Sequence, residues 1–383
     1  MSDVLAPDAQ FEASVLDRLM TGFAGHGYDR VEPPLIEFED GLLTGIGAGL
    51  AEQTFRVMDP ESQRMMGVRA DITPQVARIA ARRMAKAPRP LRLSYAGQVL
   101  RVRGSQLRPE RQFTQVGAEL IGASGPAADA EVIVMAAGAL ADLGVKDLSC
   151  DLGLPTLVPA VCGDGKKGAA GDPDTRSKLR QALDRKDAAE VRELSGALGG
   201  NLTEKLSLML TSAGPADATL KALDGLGLKG DAAKGLDLLV DVVDRIRATN
   251  ENLTLTIDPV ENRGFEYHTG VTFTFFAKGV RGEIGNGGRY EANGGNGGRE
   301  PATGFTLFMD TVLRALPQPE PAPKVFLPAG TPAEEAQSLR AEGWIGVAGL
   351  DGTQNPAEEA RRLGCSHWLD GGKIKETEKK KKD

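Results

Sequence analysis

Apolar residues recur at helical spacing from Phe11 to Gly25, in "FEASVLDRLMTGFAG", and the "HGYDRVEPPLIEF" that follows reads as extended chain. Pro33 and Pro34 suit the edge or the start of a strand, because proline has no N–H to give to a ladder. "RMMGVRADITPQVARIAARRM" predicts a strand running into a helix. Thr73 is placed as its N-cap, Pro74 at the first helical position, and Val76, Ile79, Ala80 and Met84 as its buried stripe. The helix starts directly after Asp71, so its positive end faces whatever the strand end binds. Next, "LRLSYAGQVLRVR" and "RQFTQVGAELIG" read as a long-looped antiparallel hairpin bridged by "GSQLRPE". A helix over about 127–143 and the strand "DLSCDLG" follow. From about 156 to 248 the pattern turns helical, with Gly-rich breaks, and reads as an inserted helical subdomain. Strand patterns then return in "LTLTIDP", "FEYHTGVTFTFFAKG" and "RGEIGNGGRYEANGGNGG", and a helix in "TGFTLFMDTVLRAL".

This order predicts an α+β fold, an antiparallel sheet flanked by helices, over residues 1–317, with the insertion at about 156–248. A proline-rich linker at 318–324, a small α/β unit at 325–375 and a disordered, lysine-rich tail at 376–383 complete the expectation. A length of 383 residues exceeds one ordinary core, and 41% hydrophobic with 26% charged residues is a soluble, globular balance. No run approaches the roughly 18 apolar residues of a membrane helix, and "MSDVLAPDAQ" has no apolar signal core, so a cytoplasmic chain without membrane contact is expected. Cys150, Cys162 and Cys365 are odd in number and far apart, which argues against a disulfide framework or a zinc site. No metal or cofactor is called for. A net charge of −7 repels a polyanion, so nucleic acid is not an expected partner.

Charged groups on a sheet face are costly unless they pair with one another or with a ligand. Four clusters qualify: Arg69, Asp71 and Thr73; Arg101 and Arg103; Gln115 and Glu119; and Arg263, Glu266, Tyr267 and His268. Gln115 and Glu119 lie four apart and share a strand face. With Asp71 and Thr73 they form a rim of acceptors suited to an ammonium or an imidazole N–H, while Arg263, or Arg101, offers a planar fork for a carboxylate. A free amino acid carries all of these features. Any one of these residues alone reads as an ordinary ion pair; their joint occurrence on strand segments points to a ligand. "GNGGRYEANGGNGG" reads as a loop approaching a ligand or as a flexible linker, and it has neither the setting of a dinucleotide fingerprint nor that of a P-loop.

The order of these segments resembles the class II aminoacyl-tRNA synthetases, specifically their histidine branch, over about residues 8–316. "GYDRVEPPLIE" is similar to the dimer-forming first motif, "LRVRGSQLRPERQFTQVGAEL" to the second with its arginine at Arg101, and "GFTLFMDTVLRAL" to the third. "NRGFEYHTGVTF" and "GNGGRYE" resemble the two histidine-binding signatures. The family pattern puts a glutamate where Arg103 stands and a phosphate-clamping arginine where Asp310 and Thr311 stand, so the resemblance implies crippled ATP activation. Carried over by motif, Asp71 and Thr73 would take the substrate ammonium, Gln115 and Glu119 the ring and amine, Arg263 the carboxylate, and Tyr267 and His268 the imidazole region. Asp71 is shorter than the family's glutamate, and His268 replaces a usual tyrosine. A C-terminal unit too short for an anticodon-binding domain completes the departures. Together they resemble the synthetase-like regulatory subunits of ATP phosphoribosyltransferase, in the first step of histidine biosynthesis. That resemblance implies a non-catalytic chain that dimerises through its first motif, assembles with and activates the short-form catalytic subunit, and transmits feedback inhibition by L-histidine. The alternative is a catalytically active histidine–tRNA ligase.

Overall fold

The structure, a computed structural model, describes residues 3–43, 45–104, 109–163, 172–261, 267–293, 298–318 and 322–377. It divides into two compact units, Met1–Pro317 and Gln318–Asp383.

The first unit is built on a nine-stranded sheet. Across it lie the strands Asp29–Arg30, Leu91–Leu100, Gln112–Ile121, Arg299–Phe308, Gly285–Asn293, His268–Ala277, Leu148–Gly153, Thr254–Asp258 and Gly214–Pro215. The sheet is mixed: Asp29–Arg30 runs parallel to its neighbour, as do Leu148–Gly153 and Thr254–Asp258, and the other pairs are antiparallel. The parallel contacts arise where long crossovers return the chain to the sheet in the same sense, a connection no hairpin can make. Five of the central strands are nine or ten residues long, and the two cores cover the sheet's faces there.

One face packs under the helices Asp8–Gly25 and Pro126–Leu143, whose Val15, Leu19, Phe23, Ile133, Ala136 and Leu140 meet Val116, Leu152, Phe273 and Phe305 in the main core. The helical region reaches the same core through Leu179, Leu206, Met209, Val242 and Ile246, and its short strand Gly214–Pro215 joins the sheet. The opposite face holds a smaller core, where Ile72, Val76, Ala77 and Ala80 of helix Thr73–Arg82 and the turn before it pack on Leu93, Phe113, Ile121 and Tyr290. Alanines at the contact let this helix lie close to the sheet. Ile79 and Met84, expected in the buried stripe, are only partly covered.

Two local expectations are corrected. Thr73 is the first helical residue rather than the cap: its N–H donates to Asp71 Oδ1 at 2.9 Å, and its hydroxyl is committed elsewhere, to Glu119. The glycine-dense "GNGGRYEAN" is a central strand, Gly285–Asn293, as its strand pattern predicts, and the alternative reading of it as a loop or linker is the one corrected. A Cβ at Gly287 would come within 2.2 Å of the Gly304 carbonyl oxygen, so close strand packing explains that glycine. Residues 294–297 lie outside the described residues. A three-stranded sheet of Ile36–Phe38, Met65–Val68 and Phe55–Met58 leads into helix Thr73–Arg82.

The second unit has a four-stranded sheet in the order Ile345–Ala348, Lys324–Leu327, His367–Asp370 and Lys373–Glu376, the first three parallel. Helices Ala333–Ala341 and Pro356–Arg362 complete it. Val325 and Leu327 pack with Leu339, while Phe326 packs with Ala360. Glu376, assigned to the tail from sequence, ends the last strand opposite His367; most of the rest of that tail, 378–383, and residues 319–321 of the linker lie outside the described residues.

Candidate functional site

Where helix Thr73–Arg82 starts, a cavity of about 220 Å³ opens on the sheet. Asp71, Thr73, Arg101, Glu119, Tyr267 and His268 all line it, with Glu283, Asn286, Tyr290, Gly304 and Thr306 among the others. Gln115 stands behind the wall: fully buried, it accepts from the Ile72 N–H at 3.1 Å and donates through Nε2 to Asp71 Oδ2 at 3.2 Å. Asp71 is thus held from two sides, and the Arg101 guanidinium lies 3.8 Å away. Arg101 is itself steadied by the Ala70 carbonyl at 3.2 Å and by the ring of Phe113, 5.1 Å beneath it.

Glu119 forms the floor and is 1% exposed. Its Oε1 accepts from the Thr73 hydroxyl at 2.9 Å and its Oε2 from the Tyr290 hydroxyl at 2.8 Å. Burial pushes its pKa up to about 8, and the charge of Asp71 adds to this, while the hydroxyls of Tyr290, Thr73 and Tyr95 hold it down. The carboxyl therefore changes charge near neutral pH, where a donor brought by a ligand decides its state. Gly304 is required here, because a Cβ at that position would sit 1.7 Å from Glu119 Oε2. The side wall is aromatic: the Tyr267 ring lies 4.0 Å from that of His268 and meets Tyr290 edge-on at 6.2 Å.

Other expected site residues lie elsewhere. Arg69 is buried, but its guanidinium donates to the Gln98 and Pro33 carbonyls, both at 2.8 Å, and braces the chain before the helix. Arg103 is exposed. Arg263 and Glu266 lie outside the described residues. Thr311 is buried on helix Met309–Ala315, where Arg314 reaches back to its hydroxyl at 3.0 Å. Sequence reasoning missed Tyr95, Tyr290, Thr306 and Glu283. Tyr290 had a signal: in "GGRYE" it falls two residues after Gly288, on one strand face with it.

Behind the sheet, Arg289 donates to Asp129 at 2.8 and 3.2 Å and to the Gly125 carbonyl at 2.7 Å, and Thr303 donates to the same Asp129 at 2.7 Å. This buried network pins helix Pro126–Leu143 to the strand that carries Tyr290. Among the described residues, no group of three or more His, Cys, Asp or Glu could hold a metal ion, and no helix is long and apolar enough to cross a membrane.

The histidyl-tRNA synthetase family model matches residues 1–312. The ATP phosphoribosyltransferase regulatory subunit of Paramagnetospirillum magneticum is 57% identical over 99% of this chain and 97% of its own length, and that of Rhodospirillum centenum is 55% identical over 98% and 95%. The chain belongs to this family. The regulatory-subunit family shares its fold with the class II synthetases. A solved chain from Bacillus halodurans, titled ATP phosphoribosyltransferase regulatory subunit/histidyl-tRNA synthetase, superposes with a TM-score of 0.81 over 94% of each chain at 24% identity. The histidyl-tRNA synthetase of Nostoc sp. superposes at 0.77 over 96% of this chain and 89% of its own, with 17% identity.

Proposed function

We propose that the chain is the non-catalytic regulatory subunit of ATP phosphoribosyltransferase, binds free L-histidine in the cavity over Glu119, activates the short-form catalytic subunit, and conveys feedback inhibition to it. One observation carries the reading. A buried carboxyl poised near neutral pH forms the floor of a cavity whose other charged lining residues, among those described, are Asp71, Glu283 and Arg101.

Three carboxyls against one guanidinium favour a ligand rich in N–H donors and disfavour a nucleoside triphosphate, whose phosphates would meet like charge. The cavity of about 220 Å³ also falls below the roughly 300–1,000 Å³ of drug-sized sites. A single amino acid is of the right class. In this reading Asp71 and Thr73 take the α-ammonium, Glu119 the ring and amine contacts with Gln115 behind the wall holding Asp71 in place, Arg263 with Arg101 the carboxylate, and Tyr267 and His268 the imidazole face. A site that hydrogen-bonds both ends of its ligand rejects analogues lacking either one.

Regulation follows by linkage. Histidine shifts the complex by its difference in affinity for the active and inactive arrangements, typically about 1–3 kcal/mol. Self-dimerisation through the first motif is supported by Leu35 and Ile36, 45% and 43% exposed, and by Val57 and Met58 on the other edge strand of the small sheet, 48% and 56% exposed.

Calorimetric titration with histidine, with and without ATP, is the direct test. Histidine binding without ATP dependence is expected, together with capture of the short-form catalytic subunit in a pull-down. Histidine-dependent ATP–pyrophosphate exchange above background would instead restore the histidine–tRNA ligase. Should neither histidine nor the catalytic subunit bind, the reading fails.

A further inference from the structure

Beneath the cavity lies a residue that the preceding scheme does not use. Tyr95, on strand Leu91–Leu100, is fully buried in a chain of hydroxyls. Its oxygen stands 2.7 Å from Thr306 Oγ1 and 3.1 Å from Thr73 Oγ1, with the Phe305 carbonyl at 3.3 Å and Glu119 Oε1 at 3.5 Å. Each hydroxyl has a single proton to give. Thr73 spends its proton on Glu119 Oε1 at 2.9 Å, so across the contact with Tyr95 it can only accept. The Tyr95 proton has three acceptors in reach, Thr73, Glu119 Oε1 and the Phe305 carbonyl, and Thr306 has its own proton to give to Tyr95. The order that serves Glu119 runs from Thr306 to Tyr95, and from Tyr95 to Glu119 either directly or through Thr73. Donations in such a chain polarise one another, and each strengthens the next.

We propose that Tyr95 is a positioning residue for effector binding, the middle of a hydroxyl relay that holds the Glu119 carboxylate toward the cavity and governs how readily it accepts an N–H donor from the ligand. The inference rests on the histidine-binding reading and deepens it. Two glycines make room for the relay. A Cβ at Gly117 would stand 2.5 Å from the Tyr95 hydroxyl, and one at Gly304 would overlap Glu119 Oε2.

The charge environment agrees with this role. Burial pushes the Tyr95 phenol well above its ordinary value, and the charges of Glu119 and Asp71 add to that, so Tyr95 stays a neutral donor. Among the described residues, the titratable groups facing Glu119 are Asp71 before the helix, Tyr95 and Tyr290 from their strands, and Arg101, Tyr267, His268 and Glu283 around the cavity. Of these, Asp71 raises the carboxyl and the hydroxyls of Tyr290 and Tyr95 lower it, as does that of Thr73. Removing the relay leaves Glu119 holding its proton to higher pH, and an incoming donor must displace that proton.

The test uses the full-length chain with Tyr95→Phe, and Thr306→Val as a second break in the same relay. Tyr28→Phe is the control, since Tyr28 is equally buried but donates to Glu131 away from the cavity. Two readouts are taken across about pH 6–9: the carboxyl infrared titration of Glu119 in the free protein, assigned with Glu119→Gln, and the histidine dissociation constant by calorimetry. Tyr95→Phe should move the Glu119 midpoint up by about half to one pH unit, the equivalent of one hydrogen bond. Histidine binding near pH 7 should weaken about three- to tenfold, with recovery at higher pH. Thr306→Val should shift both in the same direction by less, and Tyr28→Phe neither. Unshifted titrations in both relay variants, in a chain that binds histidine, overturn the relay alone. A wild-type chain that binds no histidine overturns the effector assignment, and the reading beneath it.

Discussion

Replacing Glu119 with glutamine tests the central electrostatic claim without removing the side chain. The amide keeps an acceptor for the Thr73 hydroxyl and stays neutral at every pH. In the wild-type chain the carboxyl titrates at about 8 when folded, against 4.5 for its ordinary value. Between those values the folded state holds a proton that the unfolded state has lost, so stability contributed by the neutral carboxyl is complete below about pH 4.5 and disappears as pH rises through 8. The slope is about 1.4 kcal/mol per pH unit, so about 2.5–3 kcal/mol is lost from this residue between about pH 6 and 9. At about 2 °C per kcal/mol for a chain of this size, that is about 5 °C in Tm. The assay is thermal unfolding of both proteins without ligand at about pH 6, 7.5 and 9. The two should melt together at the acid end, and the variant should melt about 5 °C higher at the alkaline end. Only the difference between the proteins counts, because other groups titrate in both. Parallel curves would refute the claim that this carboxyl is costly to ionise. Histidine affinity should meanwhile fall about 10- to 100-fold in the variant, the scale of one charge-assisted hydrogen bond.

Gly304→Ala places a methyl group against Glu119 Oε2, so it should abolish measurable histidine binding in calorimetry while the circular dichroism spectrum keeps its native shape. Arg289→Met leaves the carboxylate of Asp129 buried without its cation, and should cost about 3–5 kcal/mol, read as a Tm drop of about 6–10 °C. Burial already raises Asp129, opposed first by Arg289, so the loss should be smaller at acid pH, where Asp129 takes up a proton. A matching Asp129→Leu change should restore most of that Tm. Leu35→Arg with Ile36→Arg should convert a dimer to a monomer in light scattering, and a dimer that persists removes the first motif from the interface.

Much of the fold was legible because periodicity reports which face of an element is covered. The helix Asp8–Gly25, the hairpin Leu91–Leu100 with Gln112–Ile121, and the helix Pro126–Leu143 all lie where the apolar spacing places them. The misreadings share one cause. Glycine in "GNGGRYE" signals conformational freedom to a local reading, yet here it serves strand-to-strand and strand-to-side-chain clearance, set by residues such as Phe273, His268 and Leu307 from other strands. Thr73 has the chemistry of a cap, and a local reading cannot know that a buried carboxyl 46 positions later offers its hydroxyl a better partner.

The candidate site divides along the same line. Residue types and motif order along the chain singled out Asp71, Gln115, Glu119, Tyr267 and His268, because polar groups on strand faces demand partners. The tertiary structure alone placed Arg69 on backbone carbonyls, brought Tyr95, Tyr290 and Thr306 around one carboxyl, and excluded enough water there to lift its pKa to about 8. Sequence determines which chemical groups the chain possesses and which faces they occupy. Their strength as acids, donors and acceptors depends on distance and on solvent, and only the folded chain sets those.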